Sequence, residues 1–535
     1  VTLGMSFPEI VVVLGAALLV VARRLPSRAR RPATMGAAAV VLLSATALVL
    51  AGVRWQFVPV LAGAAMLLSF TLPTLLRRSA SRPAWRSASR PAWRSVWWLG
   101  WRPTRRPVWW LGWRSASRPA WWLGHRPGHR PAHRPAWRAP WWLALPGWAA
   151  CAGLVAAGPV AAWAFPVPDF PEPSGRFPVG TLVMEWTDPA RPEPATSAPD
   201  DRRTVVVQFW YPARGSATGT TRSQYLGRTV REARVVSHAA ADYLGVPGFL
   251  FDGASTARTR SVPGAAVAGA GGRFPVVLFS PGLGGVRTQN TAWAEELASL
   301  GYVVVALDHP YDSAAVVLTG GRTIRTRVAA TGDEREDERR AAGWTAVRAD
   351  DLGFVLTQLG RLDRGEIAGP LSGRLDTARA AVTGHSIGGA AALVAARQDP
   401  RFAAVIDLDG APHDPEPRPF RQPVLALTHP VDPADNPTYI PRLTQVLDLS
   451  TATSYRLTVP GTSHLTFTDA PLYLPPVPAL AGSLGRTEGL RITAATSAAF
   501  LDATLRGKPG DLAARLSPYG DLTVHHADSE VRSDG

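Results

Sequence analysis

Five residues, Gly384-His385-Ser386-Ile387-Gly388, constrain this chain more than any other feature. They close an apolar run, AAVTGHS at 380–386, and open an Ala-rich stretch with helical spacing, GGAAALVAARQ at 388–398. A G-x-S-x-G turn between a strand and a helix presents the serine hydroxyl at a sharp bend, where small neighbours avoid clashes. The pattern alone is weak, because Gly and Ser are common, and its bland reading is a Gly-rich surface turn. The strand–turn–helix context favours a nucleophile at Ser386.

The flanking sequence supports that context. Residues 203–211 (RTVVVQFWY), 274–280 (FPVVLFS), 302–308 (YVVVALD), 403–409 (AAVIDLD), 423–429 (PVLALTH) and 453–461 (TSYRLTVPG) read as strands. Helical spacing falls between them, at 291–301, 336–362 and 388–398. Continuous apolar strands alternating with helices predict a mainly parallel sheet covered on both faces. The expectation is an α/β-hydrolase fold over 166–520. Residues 166–200, rich in Pro, Asp and Glu, read as a linker leading into a first strand, and 521–535 as a disordered tail.

A serine at its ordinary pKa is a poor nucleophile and needs a base and an orienting acid. In this fold the acid and then the histidine follow the serine. Five histidines follow Ser386: His413, His429, His464, His525 and His526. His464 sits in a loop after the last clear strand, where the base belongs. His413 and His429 come early and read as local bonding groups; His525 and His526 read as solvated. For the acid, Asp409 and the pair Asp432/Asp435 fit the order equally well, and Asp407 reads as part of a strand.

The N-terminal third has a different character. Residues 7–22, 34–53 and 55–76 are apolar runs, and 141–165 is a fourth, interrupted by Pro146 and Pro159. Each approaches the roughly 20 residues that cross a bilayer. The expected organisation is three transmembrane helices in 1–76, a loop at 77–138 and a fourth span in 139–165. The chain has 535 residues and a formal charge of +16, but residues 77–138 alone hold 15 Arg and no acidic residue. The remainder beyond 138 is mildly acidic, which argues against nucleic acid as a partner.

The Arg-rich stretches after the first and third runs place both loops in the cytoplasm by the positive-inside rule. The domain after the fourth span then faces outward. The expectation is an integral protein of a bacterial plasma membrane with an extracytoplasmic catalytic domain. The basic loop repeats SASRPAW and WWLG units, and its Arg and Trp suit an anionic lipid surface.

A lone cysteine, Cys151, excludes an intrachain disulfide and a cysteine zinc site. The acidic cluster Asp333–Glu338 lacks calcium-loop spacing, and prolines break the register of His125, His129 and His133. No metal and no cofactor is expected.

The stretch from Ser386 to Asp409, SIGGAAALVAARQDPRFAAVIDLD, resembles the plasma-type platelet-activating-factor acetylhydrolases. FPVG at 177–180 with FWYP at 209–212 is similar to that family's opening hairpin. FSPGLGG at 279–285 is similar to its oxyanion loop, with Pro281 where the family usually has His. GTSHLTFTD at 461–469 and SAAFLDATLRG at 497–507 are similar to its histidine loop and closing helix.

The resemblance covers about 175–510 and implies Asp409 as the acid of a Ser386–Asp409–His464 triad. It also implies the backbone N–H groups of Leu283 and Ile387 as oxyanion donors. The implied function is hydrolysis of short-acyl or phospholipid-type esters through an acyl-enzyme, with a small-molecule or lipid ester as partner. The alternatives are an acyltransferase or thioesterase on the same triad, or a non-catalytic membrane scaffold whose Arg/Trp loop binds anionic lipid.

Overall fold

The structure, a computed structural model, describes residues 5–22, 24–76, 145–215, 221–269, 272–329, 331, 333–414, 417–434 and 436–526. The repeat expected at 77–138 and the candidate acid Asp435 lie outside the described residues.

Four apolar helices come first: α1 (Phe7–Ala22), α2 (Ser27–Ala51), α3 (Val58–Leu76) and α4 (Leu145–Ala164). They pack on one another through small and branched side chains, among them Val12, Ala16, Val41, Val60, Ala64 and Val155. Their outward faces are also apolar, with Leu43 74% and Leu50 83% exposed. A water-facing helix would carry polar residues there. Two of these segments, Arg28–Ala51 and Gly147–Ala164, are long and apolar enough to cross a membrane; Phe7–Ala22 and Trp55–Thr71 are shorter apolar helices. Glu9, the one acidic residue of this region, is buried and paired with Arg54 at 2.6 Å.

The rest of the chain builds a ten-stranded sheet. Its first five strands are β1 (Val179–Pro192), β2 (Arg202–Pro212), β3 (Val262–Pro263), β4 (Phe274–Ser280) and β5 (Val303–Asp308). A small separate hairpin, β6 (Ala315–Val317) and β7 (Thr323–Arg325), follows. The sheet resumes with β8 (Leu375–His385), β9 (Phe402–Leu408), β10 (Val424–Thr428), β11 (Ser454–Thr458) and β12 (Asp521–His525). The spatial order is β12-β11-β10-β9-β8-β4-β5-β2-β1-β3. The six strands from β11 to β5 run parallel, and β2, β1 and β12 add antiparallel pairings at the flanks.

Two sequence expectations need correction. Residues 166–200 are more than a linker, because they contain β1, which pairs with β2 from Val179 to Thr187. Prolines at 189 and 192 disguise it, and they fall where the register shifts. The tail expected at 521–535 is corrected over its first five residues, because Asp521–His525 pairs antiparallel with β11, and 527–535 lie outside the described residues. His525 is accordingly buried and bonded to Asp448 at 2.7 Å rather than solvated. β12 alternates polar and apolar residues at a sheet edge, a pattern too short to stand out from a polar tail.

The helices of this part are α5 (Val230–Tyr243), α6 (Asp252–Thr256), α7 (Thr291–Ser299), α8 (Glu334–Asp363), α9 (Ile387–Gln398), α10 (Tyr439–Asp448), α11 (Pro478–Ala481), α12 (Glu488–Arg506) and α13 (Leu512–Leu516). They cover both faces of the sheet, as continuous apolar strands require. Strand residues alternate between the two sides. Val276, Leu278, Val303 and Val305 pack with Leu352, Leu356 and Leu359 of α8, and with α9 and α10. Val277, Phe279, Val304 and Ala306 pack with Trp293 and Leu297 of α7 and with Phe500, Leu501 and Leu505 of α12.

The strand order reverses at β4. The chain steps from β4 to β5 on one side and later builds β8, β9, β10 and β11 on the other. In open parallel sheets the crevice beyond the carboxyl ends at such a reversal is where ligands bind.

Candidate active site

That crevice receives three loops. Pro281–Leu283 leaves the end of β4, Ser386 leaves β8, and Asp409 leaves β9. Ser386 has φ 56° and ψ −128°, and Asp409 has φ 58°. Positive φ costs a non-glycine residue about 1–3 kcal/mol, so each bend persists only because its surroundings hold it. Ser386 N–H donates to Leu408 C=O at 2.9 Å and Asp409 N–H to Leu427 C=O at 2.8 Å. Glycine is needed on either side of the serine. A Cβ at Gly384 would strike the Gly388 backbone, and one at Gly388 would strike the carbonyl oxygens of Ser280 and Pro281. The turn is therefore wedged between its own helix and the β4 loop.

A cavity of about 540 Å³ opens there, a usual size for a small-molecule site. Ser386, Ile387, Leu283, Asp409, His429 and His464 line it, with Asp337, Glu338, Ala341 and Trp344 from α8 forming another wall. Ser386 is half-buried, and its hydroxyl makes no hydrogen bond with any described residue. Catalytic hydrogen bonds commonly tighten only once substrate is in place. The Leu283 and Ile387 amides have no backbone acceptor among the described residues.

The surroundings of the candidate acid Asp409 are better defined. His464 Nδ1 lies 2.6 Å from Asp409 Oδ2. A carboxylate only accepts, so Nδ1 carries the proton and Nε2 is left free as a base. His429, read from sequence as a local bonding group, meets the same oxygen through Nδ1 at 2.7 Å, and its backbone N–H donates to Oδ1 at 3.0 Å. The Tyr439 hydroxyl adds a bond to Oδ1 at 3.1 Å. Burial alone would raise the Asp409 pKa, but the bonds from His429 and His464 outweigh it and hold the carboxyl well below the usual range.

Asp407, two residues back, has the opposite fate. Burial and the nearby Asp409 charge push its carboxyl well up, and among the described residues its one partner is the Gly410 N–H at 2.9 Å. Asp432 is spent on a turn, accepting from Ala434 N–H at 2.8 Å, and does not line the cavity. Asp409, His429 and His464 also have the donor types of a metal site, with ligand atoms within 4.8 Å of one another. Here both Nδ1 atoms serve as donors to the carboxylate.

His385, the variable residue of the serine turn, ties the loops together. Gly282 N–H donates to Gln289 Oε1 at 2.8 Å, which leaves the Gln289 amide to donate to His385 Nδ1 at 2.9 Å. His385 Nε2 then donates to the His464 carbonyl at 2.9 Å. Burial, with the neighbouring His464, pushes the His385 pKa down to about 3, so the ring stays neutral and the chain of donors keeps one direction. Sequence spacing carried no signal for Gln289, His429 or Tyr439. His385 was visible only as the variable residue of the motif.

The His429 bond has a measurable consequence. Bonding to Asp409 raises the His429 pKa, against burial. The stability this supplies is complete below the ordinary histidine value near 6.5 and is lost as pH rises through the raised value. His429→Asn keeps an N–H donor but cannot titrate. Its Tm deficit relative to wild type is expected to be larger at pH 5.5 than at pH 8.5, and equal deficits would show that His429 does not titrate with folding.

The platelet-activating factor acetylhydrolase, isoform II family matches residues 164–337 and 358–509, more than half of the chain and all of the elements that line the cavity but the middle of α8. The chain belongs to this family. Among relatives, a probable 1-alkyl-2-acetylglycerophosphocholine esterase of Arthroderma benhamiae is 28% identical over 45% of this chain. A platelet-activating factor acetylhydrolase of Cavia porcellus is 31% identical over 26% of it. The matched stretches span 58% and 35% of those two proteins' own lengths. A solved structure, ferulic acid esterase from Streptomyces cinnamoneus, superposes with a TM-score of 0.53 at 32% identity, covering 67% of this chain and 99% of that one. The α/β-hydrolase expectation and the family resemblance read from the acetylhydrolase motifs both hold.

Proposed function

We propose that this acetylhydrolase-family chain is a serine carboxylic-ester hydrolase in which Ser386, His464 and Asp409 act as nucleophile, base and orienting acid. The observation that carries the reading is the 2.6 Å bond from His464 to a buried, charged Asp409, in one cavity with a strained, half-buried Ser386. His464 Nε2 takes the Ser386 proton as Oγ adds to the ester carbonyl. Asp409 holds the imidazole tautomer and stabilises the imidazolium. The Leu283 and Ile387 amides bind the oxyanion; each such donor is worth about 100–1,000-fold in rate. His464 returns its proton to the leaving alcohol, and water then attacks the acyl-enzyme by the same route in reverse.

The named relatives act on, or are named for, acetyl-ether phospholipids, and the solved neighbour is named for a feruloyl ester. These point to short-acyl or phospholipid-type esters here. The full chain in detergent, assayed with p-nitrophenyl esters from acetate to palmitate, is expected to favour the short chains. Rates rising steadily to palmitate would replace this reading with a long-chain lipase. Acyl transfer to an added alcohol outpacing hydrolysis would favour the transferase.

The two membrane-length helices and their exposed apolar faces support a membrane-embedded N-terminal region, and the arginines that follow its first apolar run favour a catalytic domain outside the cytoplasm. Lys508→Cys, at an exposed loop, is expected to react with a membrane-impermeant maleimide in intact cells. Labelling that requires lysis would reverse the topology.

A further inference from the structure

Behind the oxyanion loop lies a buried cation that the triad does not use. Arg348, on α8, is fully buried. A guanidinium has five N–H donors, and all five are placed here. Nε and one terminal N–H hold Asp312 at 2.7 and 2.6 Å. The other N–H of that nitrogen reaches Gly282 C=O at 3.1 Å. The second terminal nitrogen meets Pro281 C=O and, at 3.1 Å, Ser280 Oγ. Ser280 Oγ passes its own proton towards His309 Nε2 at 2.9 Å, and His309 Nδ1 donates to Asp351 at 2.8 Å. Arg203 in turn grips Asp351 at 2.7 Å. The guanidinium has no freedom to turn.

We propose that Arg348 is a positioning residue that strengthens the oxyanion hole through the backbone. Gly282 C=O and Leu283 N–H are the two ends of one peptide group. A cation bonded to the oxygen draws electron density from the nitrogen and makes its N–H a stronger donor, and hydrogen-bonded chains reinforce one another in this way by about 10–30% per bond. The same bonds to Pro281 and Gly282 fix the direction in which the Leu283 N–H points. Little water screens the charge at this depth. Burying a guanidinium is costly, and an apolar side chain of similar volume would often serve packing as well or better. Arg348 also sits one turn beyond Trp344, so the helix that walls the cavity is the one that sets its donor.

The inference rests on the proposed role of Leu283, and the test separates the two. An alkyl trifluoromethyl ketone accepts Ser386 Oγ at its carbonyl and forms a hemiketal oxyanion in the hole, whereas KM for a p-nitrophenyl ester reports mainly the uncharged ground state. In the full chain, Arg348→Gln is expected to lower kcat and weaken ketone binding by a common factor of about 10–100, less than the loss of a whole donor. KM should stay within about twofold. Arg348→Lys keeps the charge with three donors instead of five and should lose less on both measures. The double variant R348Q/D312N leaves no charge unpaired and is the check if R348Q is poorly folded; it should match R348Q.

A folded variant whose ketone affinity is unchanged, or falls only in step with KM, overturns the inference and leaves the triad standing. Ketone binding by wild type that is indifferent to Ser386→Ala removes the proposed function and this inference with it.

Discussion

Ser386→Ala is expected to lower kcat by about 10⁶-fold, the loss seen when the nucleophile of such a unit is removed. KM should change little, because a half-buried hydroxyl adds little to ground-state binding. What remains is the contribution of the oxyanion donors and of binding, about 10³–10⁴-fold over water. The variant should fold as wild type does. Alanine relieves no contact, since the hydroxyl makes no bond with any described residue, and the positive φ is set by Gly384 and Gly388 on either side. Steady-state hydrolysis of p-nitrophenyl acetate, with a melting curve beside it, measures both. An unchanged rate in a folded variant would end the serine mechanism, and no activity in either folded protein would return weight to the scaffold alternative.

The second large effect is at the acid. Asp409→Asn is expected to cost about 10⁴-fold in kcat, because an amide can offer its NH₂ to His464 Nδ1 and stabilise the wrong tautomer. Asp409 differs from a simple triad acid in its load. It accepts from His464, from His429 twice and from Tyr439. The amide therefore meets two imidazoles at once, and the variant should lose stability as well as rate. Asp432→Asn gives the contrast: its carboxylate only closes a turn, and kcat should stay within about twofold of wild type. Comparable losses at both positions would mean that the drop at Asp409 reports unfolding rather than tautomer control.

The contrast between these two aspartates shows what could be read from the chain alone. Ser386 was legible because its whole requirement is local. Strand, small residues, bend and helix lie within about 20 residues, the range over which periodicity and turn chemistry act. His464 followed from chain order and from its place after the last parallel strand. The acid did not follow, since chain order treats Asp409 and Asp432 alike and only the resemblance to acetylhydrolases separated them. The structure brings Asp409 to His464 across 55 positions, a distance over which no local pattern carries information. The N-terminal apolar runs were equally legible, because bilayer-length hydrophobicity is also a local property.

The supporting residues were out of reach for the same reason. His429 comes too early in chain order for the base, and only the adjacency of β9 and β10 turns it towards Asp409. In the sequence, Arg348 is one residue within the helical spacing of 336–362, with nothing to mark it. It becomes a buried cation on the oxyanion loop because α8 packs across the carboxyl end of β4, 66 positions away. β1 hid among prolines except at FPVG, whose resemblance to a family hairpin matches its pairing with β2, and β12 looked like tail until β11 offered it a register. The sequence by itself determined the fold class, the candidate nucleophile, its candidate base and the apolar helices, since these depend on spacing and order. The tertiary structure decided which carboxylate is charged, which histidines share it and which arginine faces the Gly282–Leu283 peptide. Those properties come from burial and from contacts between distant segments, and neither exists before the chain has closed on itself.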